Sequence, residues 1–165
     1  MRFLTAVLGL SACAALAQGA PSSPCLEKTE WQQLDFWLGD WEVRAQGKAI
    51  ARSRIEKSTD GCVVHEHYVQ GDYSGKSINF FDPVLRHWRQ AWVDNSGNVS
   101  EFSGEYREGA MRFEGVTHRS TGQRVLRRMT LFNLEHGEVR QFSEQSLDDG
   151  KSWSVGYDFQ YLRAR

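Results

Sequence analysis

From Gly39 to the C-terminus, apolar and polar residues alternate with a period of two, in runs of about eight to ten residues broken by turn signals. The runs are Trp41–Gln46, Lys48–Ser58, Cys62–Gln70, Lys76–Asp82, His87–Asp94, Val99–Tyr106, Ala110–Arg119, Val125–Leu134, Glu138–Leu147 and Trp153–Leu162. Asp60-Gly61, Gly71–Gly75, Pro83, Asn95–Asn98, Glu108-Gly109 and His136-Gly137 separate them, and most are strong hairpin chemistry. No connection is long enough for a parallel crossover. The pattern predicts an all-β fold, an antiparallel up-and-down barrel of about ten strands, because closure removes the edges an open sheet would expose. A barrel of that size is wider than its side chains fill, so an internal cavity is expected.

Alternation also assigns faces. Trp41 and Val43 are expected inside, with Glu42 and Arg44 outside. Phe102, Tyr106, Met111 and Phe113 are expected inside, and Trp88 and Trp92 share one face. In the last run Trp153, Val155, Tyr157, Phe159 and Tyr161 fall together, opposite Ser154, Asp158 and Gln160. Residues 76–82 are ambiguous, since Ile78 and Phe80 compete with Asn79 and Phe81 for the interior.

Before Gly39 the period changes. LEKTEWQQLDFWLG predicts one short N-terminal helix, with Thr29 and Gln32 as a capping box and Trp31, Leu34 and Leu38 as its apolar stripe. Gly39 stands where that helix stops. In FWLGDW, residues 36–41, Phe36 and Trp37 are expected to pack the helix onto the barrel, and Trp41 to close its floor.

The first residues belong to another class of segment. Met1-Arg2 is a minimal basic start, residues 3–17 are apolar, and Ala15-Leu16-Ala17 fits signal cleavage before Gln18. The run is short for a membrane span. An alternative is lipidation at Cys13 within Leu10-Ser11-Ala12-Cys13, although AALA continues the apolar run where a polar tether is expected. The expected organisation is a signal peptide over 1–17, an N-terminal arm over 18–28 and a barrel domain over 29–165, exported to a periplasmic or secreted location. Export leaves Cys25 and Cys62 as a pair in an oxidising compartment, so a disulfide between them is predicted.

Charge and composition narrow the rest. The 165-residue chain has a net charge of −1, and loss of residues 1–17 removes only Arg2. No basic footprint for nucleic acid is present. Six Trp, nine Phe and five Tyr against three Pro describe a globular chain, not a disordered one.

Gly39-Asp40-Trp41 resembles the G-x-W motif that opens the first strand of lipocalins and related calycin barrels. That resemblance implies that the glycine permits a tight start to the strand. It also implies that the tryptophan packs across the floor against a basic residue of the last strand, Arg163 or Arg165. LDFWLGDWEV, IEKSTDGCVVHEHY, GKSINFFD, WRQAWVDNSG and VRQFSEQSLDDGKSW together resemble a family of small secreted bacterial proteins of unknown function with a lipocalin-like barrel. The nitrobindin-like barrels, which bind haem through a histidine in the C-terminal part of the barrel, are a more distant likeness. This chain has no histidine after His136, so neither haem nor another cofactor is expected.

Glu66, Tyr68, Asn79, Gln90, Trp92 and Gln141 are the candidate ligand-binding residues: amides and a carboxylate on faces otherwise aromatic. The alternative is an internal hydrogen-bond network with ordered water. His65 and His67 share a face at a spacing metal ligands use, with His87 or His118 as a possible third, but Val64 and Tyr68 take the inner face and leave the histidines outside. No metal site is therefore expected. Catalysis would fall to Glu66 as general acid or base, with Asp94 or Glu144 as a second carboxylate. No Ser-His-Asp arrangement, nucleophile elbow or phosphate loop is present. Ser146–Trp153, SLDDGKSW, resembles an Asp-box, in which a carboxylate caps a hairpin turn, and is read as structural. The sequence thus favours a barrel that binds a small, partly apolar molecule. An enzyme using Glu66 or a structural module with a filled interior are the alternatives.

Overall fold

A computed structural model describes residues 22–164. The signal peptide expected over 1–17, with Cys13, and the alternative floor residue Arg165 lie outside the described residues.

Ten strands form a closed antiparallel barrel: β1 (Gly39–Ala45), β2 (Lys48–Ser58), β3 (Val63–Gln70), β4 (Tyr73–Asp82), β5 (His87–Asp94), β6 (Val99–Arg107), β7 (Ala110–His118), β8 (Arg124–Asn133), β9 (Val139–Ser146) and β10 (Ser154–Arg163). Each pairs with its sequence neighbours, and β1 closes the ring on β10 through Trp41 opposite Arg163 and Val43 opposite Tyr161. The strands begin and end within three residues of the alternating runs. The physical reason is direct: runs that are apolar on one face bury that face when the sheet curls around it.

In β4, Asn79 and Phe81 point inward, while Ile78 and Phe80 are 47 % and 40 % exposed. The inner parity of this strand is fixed by its partners, since Asn79 stands opposite both Val64 and Gln90.

In β10 the parity expected from alternation fails before Tyr157. The ladder shifts between Val155 and Tyr157, where Val155 faces Glu144 and Tyr157 faces Ser143. This bulge at Gly156 inserts one extra residue and turns the side chains before it to the outer face. Val155 is exposed, and Trp153 lies outside the barrel under the guanidinium of Arg128, 4.0 Å from its ring centroid.

The helical segment also differs from expectation. The α-helix is a single turn, α1 (Pro24–Glu27), capped by the hydroxyl of Ser23, which accepts from the Cys25 amide at 3.3 Å. It is followed by two 3-10 turns, Thr29–Gln32 and Asp35–Trp37. Thr29 and Gln32 form no capping box, and the Gln32 amide instead donates to the Leu26 carbonyl at 3.0 Å. Three residues per turn bring Trp31, Leu34 and Trp37 onto one line. All three are buried, so Trp37 and not Leu38 completes the stripe. Cys25 is bonded to Cys62, the last residue of the β2–β3 turn, which pins α1 to this end of the barrel.

These turns plug the floor. Trp31 meets Phe81 edge-on at 5.1 Å, Phe36 lies against Tyr106, and Trp37 and Trp41 both pack edge-on against Tyr161. The Trp41 indole donates to the Trp37 carbonyl at 2.8 Å, and Trp88 donates to Gln33 at 3.0 Å. Arg163 covers the Trp41 ring at 3.9 Å and donates to the Leu38 carbonyl at 2.5 Å. Gly39 has φ 127°, and a Cβ there would sit 2.3 Å from Arg163 Nη1. Among the described residues no helix is long and apolar enough to cross a membrane.

Candidate functional site

Because the helical turns close one end, the interior is open toward the other, where β3–β4, β5–β6, β7–β8 and β9–β10 connect. A cavity of about 330 Å³ occupies this half. Its deep wall holds Glu66, Gln90, Phe102, Met129, Gln141 and Tyr161, and its mouth holds Gln70, Tyr73, Asp94, Asn98, Arg119 and Arg127. Between them runs an aromatic wall. Tyr157 and Phe159 stack at 4.7 Å and 13°, Tyr68 lies nearly parallel to Phe159 at 6.4 Å, and Trp92 meets Tyr68 edge-on.

Five of the six residues singled out from the sequence line this cavity: Glu66, Tyr68, Gln90, Trp92 and Gln141. They come from β3, β5 and β9, and only barrel closure brings β9 across from β3. Asn79 lies behind the wall. It is fully buried, donates to the Val64 carbonyl at 3.0 Å and to Ser77 at 2.9 Å, and accepts from the Gln90 amide at 2.6 Å. Its role is to hold the Gln90 side chain rather than to face the cavity.

Glu66 is the most perturbed carboxyl. Its Oε1 accepts from Ser53 at 2.8 Å and lies 3.2 Å from the Tyr161 hydroxyl, while Oε2 has no hydrogen-bond partner among the described residues. Burial raises its pKa to about 7, against the opposing hydrogen bonds of Ser53 and Tyr161. Burial likewise pushes Tyr157 up to about 12 and holds Tyr68, Tyr73 and Tyr161 above the ordinary phenol value, so these phenols stay neutral.

The second carboxylates considered with Glu66 occupy other environments. Burial alone would raise the Asp94 pKa. The side chain and amide of Asn98, the Tyr73 hydroxyl and the Ser96 amide outweigh it and keep Asp94 ionised as the anchor of the β5–β6 turn. Glu144 stands on the outer face of β9, opposite Arg128 in register. His65 and His67 also face outward, His65 bonded to Ser58 at 2.6 Å. Among the described residues no group of three His, Cys, Asp or Glu is placed to hold a metal ion. Asp148 caps the Ser152 amide and hydroxyl at 2.9 and 2.6 Å, which lowers its pKa to about 2 and makes SLDDGKSW a hairpin support.

The feature not singled out from the sequence is Arg127. Val125, Arg127, Met129 and Leu131 form the inward face of β8, so the guanidinium enters the barrel. Alternation from Val125 and Met129 carries the signal that could have found it. Arg127 Nε donates to Thr117 at 3.3 Å. The bulge glycine, Gly156, leaves space for the rest of the group, since a Cβ there would lie 2.8 Å from Nη1. Burial, together with neighbouring Arg119, pulls the Arg127 pKa below its ordinary value, against the opposing influence of the Tyr157 and Tyr73 phenols, but a guanidinium remains charged.

Fold and site together define a closed ten-strand antiparallel barrel with one plugged end and one hollow end, consistent with a calycin-like fold. No protein-family model matches the chain, and no curated protein matches it.

Proposed function

We propose that this chain is an exported lipocalin-like barrel that binds a small, partly apolar molecule in its interior. The carrying observation is the cavity itself: an aromatic wall with a few polar groups, Glu66, Gln90 and Gln141, converging on one space. About 330 Å³ is at the low end of the ~300–1,000 Å³ that small-molecule sites enclose, which supports a compact ligand and weighs against a filled structural module. The Cys25–Cys62 disulfide supports an oxidising compartment, as the apolar leader over 1–17 does. Within this reading, residues 1–17 are a signal peptide cleaved before Gln18, with lipidation at Cys13 as the rival processing. Residues 18–28 form an arm and 29–165 the barrel domain. The likeness to small secreted bacterial barrels supports the same assignment, and the more distant likeness to nitrobindin-like barrels bears on the fold rather than on haem.

The test is native mass spectrometry, with organic extraction, of protein purified from its own compartment. A co-purifying small molecule released on denaturation is the expected result. An empty barrel that also binds nothing in a broad ligand screen overturns the proposal. A second reading, acid–base catalysis by Glu66, draws on its pKa near 7 within the cavity. Once a substrate is identified, unchanged turnover by Glu66→Gln removes that reading.

A further inference from the structure

We propose that the cavity selects a small planar carboxylate, seated with its anionic group on Arg127 and its apolar body along Tyr157 and Phe159. This rests on the reading of the barrel as a binder and names the chemistry of what it binds.

The first argument is the state of Arg127. Several arginines on the outer face find carboxylates: Arg140 pairs with Asp158 through two bonds of 2.8 Å, Arg54 with Asp40 at 2.7 Å, and Arg124 with Asp149 at 3.1 Å. Arg127, inside the barrel, has no carboxylate within salt-bridge distance among the described residues. Its single protein hydrogen bond there is the 3.3 Å contact from Nε to Thr117, so both Nη groups keep their donors. The half-buried guanidinium thus turns open donors to the cavity, and a planar bidentate anion is the partner its geometry fits best.

The second argument is the balance of charge around it. Arg119 stands at the same mouth and adds a second cation. The anion nearest in kind, Asp94, is consumed by Asn98, Ser96 and Tyr73. Two guanidinia against one fully engaged carboxylate favour an anionic ligand. The buried Glu66 lies deeper in the cavity and, where it is protonated, adds no negative charge to this balance.

The third argument is shape. Tyr157 and Phe159 stack nearly parallel, and Tyr68 continues that plane. A flat apolar body can extend this stack, whereas the cavity volume leaves little space for a long flexible chain. At the far end Gln90 and Gln141 offer hydrogen bonds to one further polar group.

The test uses two probes of the same shape and different charge, trans-cinnamate and trans-cinnamamide, titrated calorimetrically into the purified protein at about pH 7.5. The expected result is cinnamate binding at least roughly tenfold tighter than the amide, with an advantage that shrinks as salt is added. Arg127→Gln should lower cinnamate affinity by about tenfold or more and leave the amide within about twofold. Equal binding of the two probes overturns the inference and leaves the broader reading standing. Binding of neither probe also overturns it, while the extraction experiment judges the broader reading separately. An Arg127→Gln protein that folds and still prefers cinnamate overturns it as well. Should that variant fail to fold, the ratio of the two probes on the unaltered protein decides the matter alone.

Discussion

Tyr161 places its hydroxyl 3.2 Å from Glu66 Oε1 and, at the same time, 2.8 Å from Gln141 Oε1. The Gln141 amide nitrogen is turned to the Met129 sulfur at 3.0 Å, so its oxygen faces the phenol as an acceptor. A phenol has one proton. Tyr161 therefore shares that proton as donor toward both Glu66 and Gln141. Burial outweighs the hydrogen bonds that Ser53 and Tyr161 donate to the carboxyl and raises the Glu66 pKa to about 7.

This gives a pH dependence with a definite sign. Between the ordinary value of 4.5 and about 7, the folded chain holds a proton on Glu66 that the unfolded chain has lost. Stability from this group is therefore complete below about 4.5 and falls as pH rises through 7, by on the order of 3 kcal/mol at most. Urea unfolding of the protein and of Glu66→Gln should show the glutamine variant gaining relative stability from about pH 5 to pH 8. A difference that stays constant across that range would contradict a neutral buried Glu66.

Arg163 and Gly39 make a local test of the floor. Arg163→Met loses the contact with Trp41 and the bond to the Leu38 carbonyl, and should cost about 1–3 kcal/mol. Gly39→Ala puts a Cβ at φ 127° and 2.3 Å from Arg163 Nη1, and should cost a similar amount by strain. If both variants unfold at the denaturant midpoint of the unaltered protein, the floor contact contributes nothing.

The parity of β4 can be checked by a contrasting pair. Ile78 is exposed on the outer face, so Ile78→Thr should change stability by no more than about 0.5 kcal/mol. Asn79→Leu strands the Val64 carbonyl and the Gln90 amide and should cost about 2–4 kcal/mol. The opposite ranking in chemical denaturation would place the strand in the other register.

The disulfide ties the plug to the barrel across 37 residues of chain, a closure worth on the order of 3–4 kcal/mol in the chain-entropy picture. The Cys25→Ser, Cys62→Ser double variant should unfold at lower temperature by about that amount while keeping its β circular dichroism, because no barrel strand contains either cysteine. A thiol assay on the denatured, unreduced protein should find no free thiol from this pair. An unchanged melting temperature on reduction would mean that the plug holds without the bond.

The comparison of sequence with structure separates two kinds of information. Alternation is a local property of the chain, and it determined the ten strands, their antiparallel order and the interior placement of Trp41, Glu66, Tyr68, Gln90, Trp92 and Gln141. Turn chemistry and cysteine pairing were legible for the same reason, since each depends on residue type and near spacing. What sequence could not decide depends on partners distant in the chain. The bulge at Gly156 arises between β9 and β10 and turned Trp153 and Val155 outward against their own alternation. The 3-10 turns arise because Trp31, Leu34 and Trp37 must all reach the barrel end, and helical propensity alone favours an α-helix there. Asn79 sits behind the wall because Val64 and Gln90 flank it across two ladders. Arg127 joined the site because ladder pairing set it beside Thr117 of β7 and near Tyr157 of β10, where it has no carboxylate partner among the described residues. Local pattern sets which way a side chain points, while the closed barrel sets what it meets.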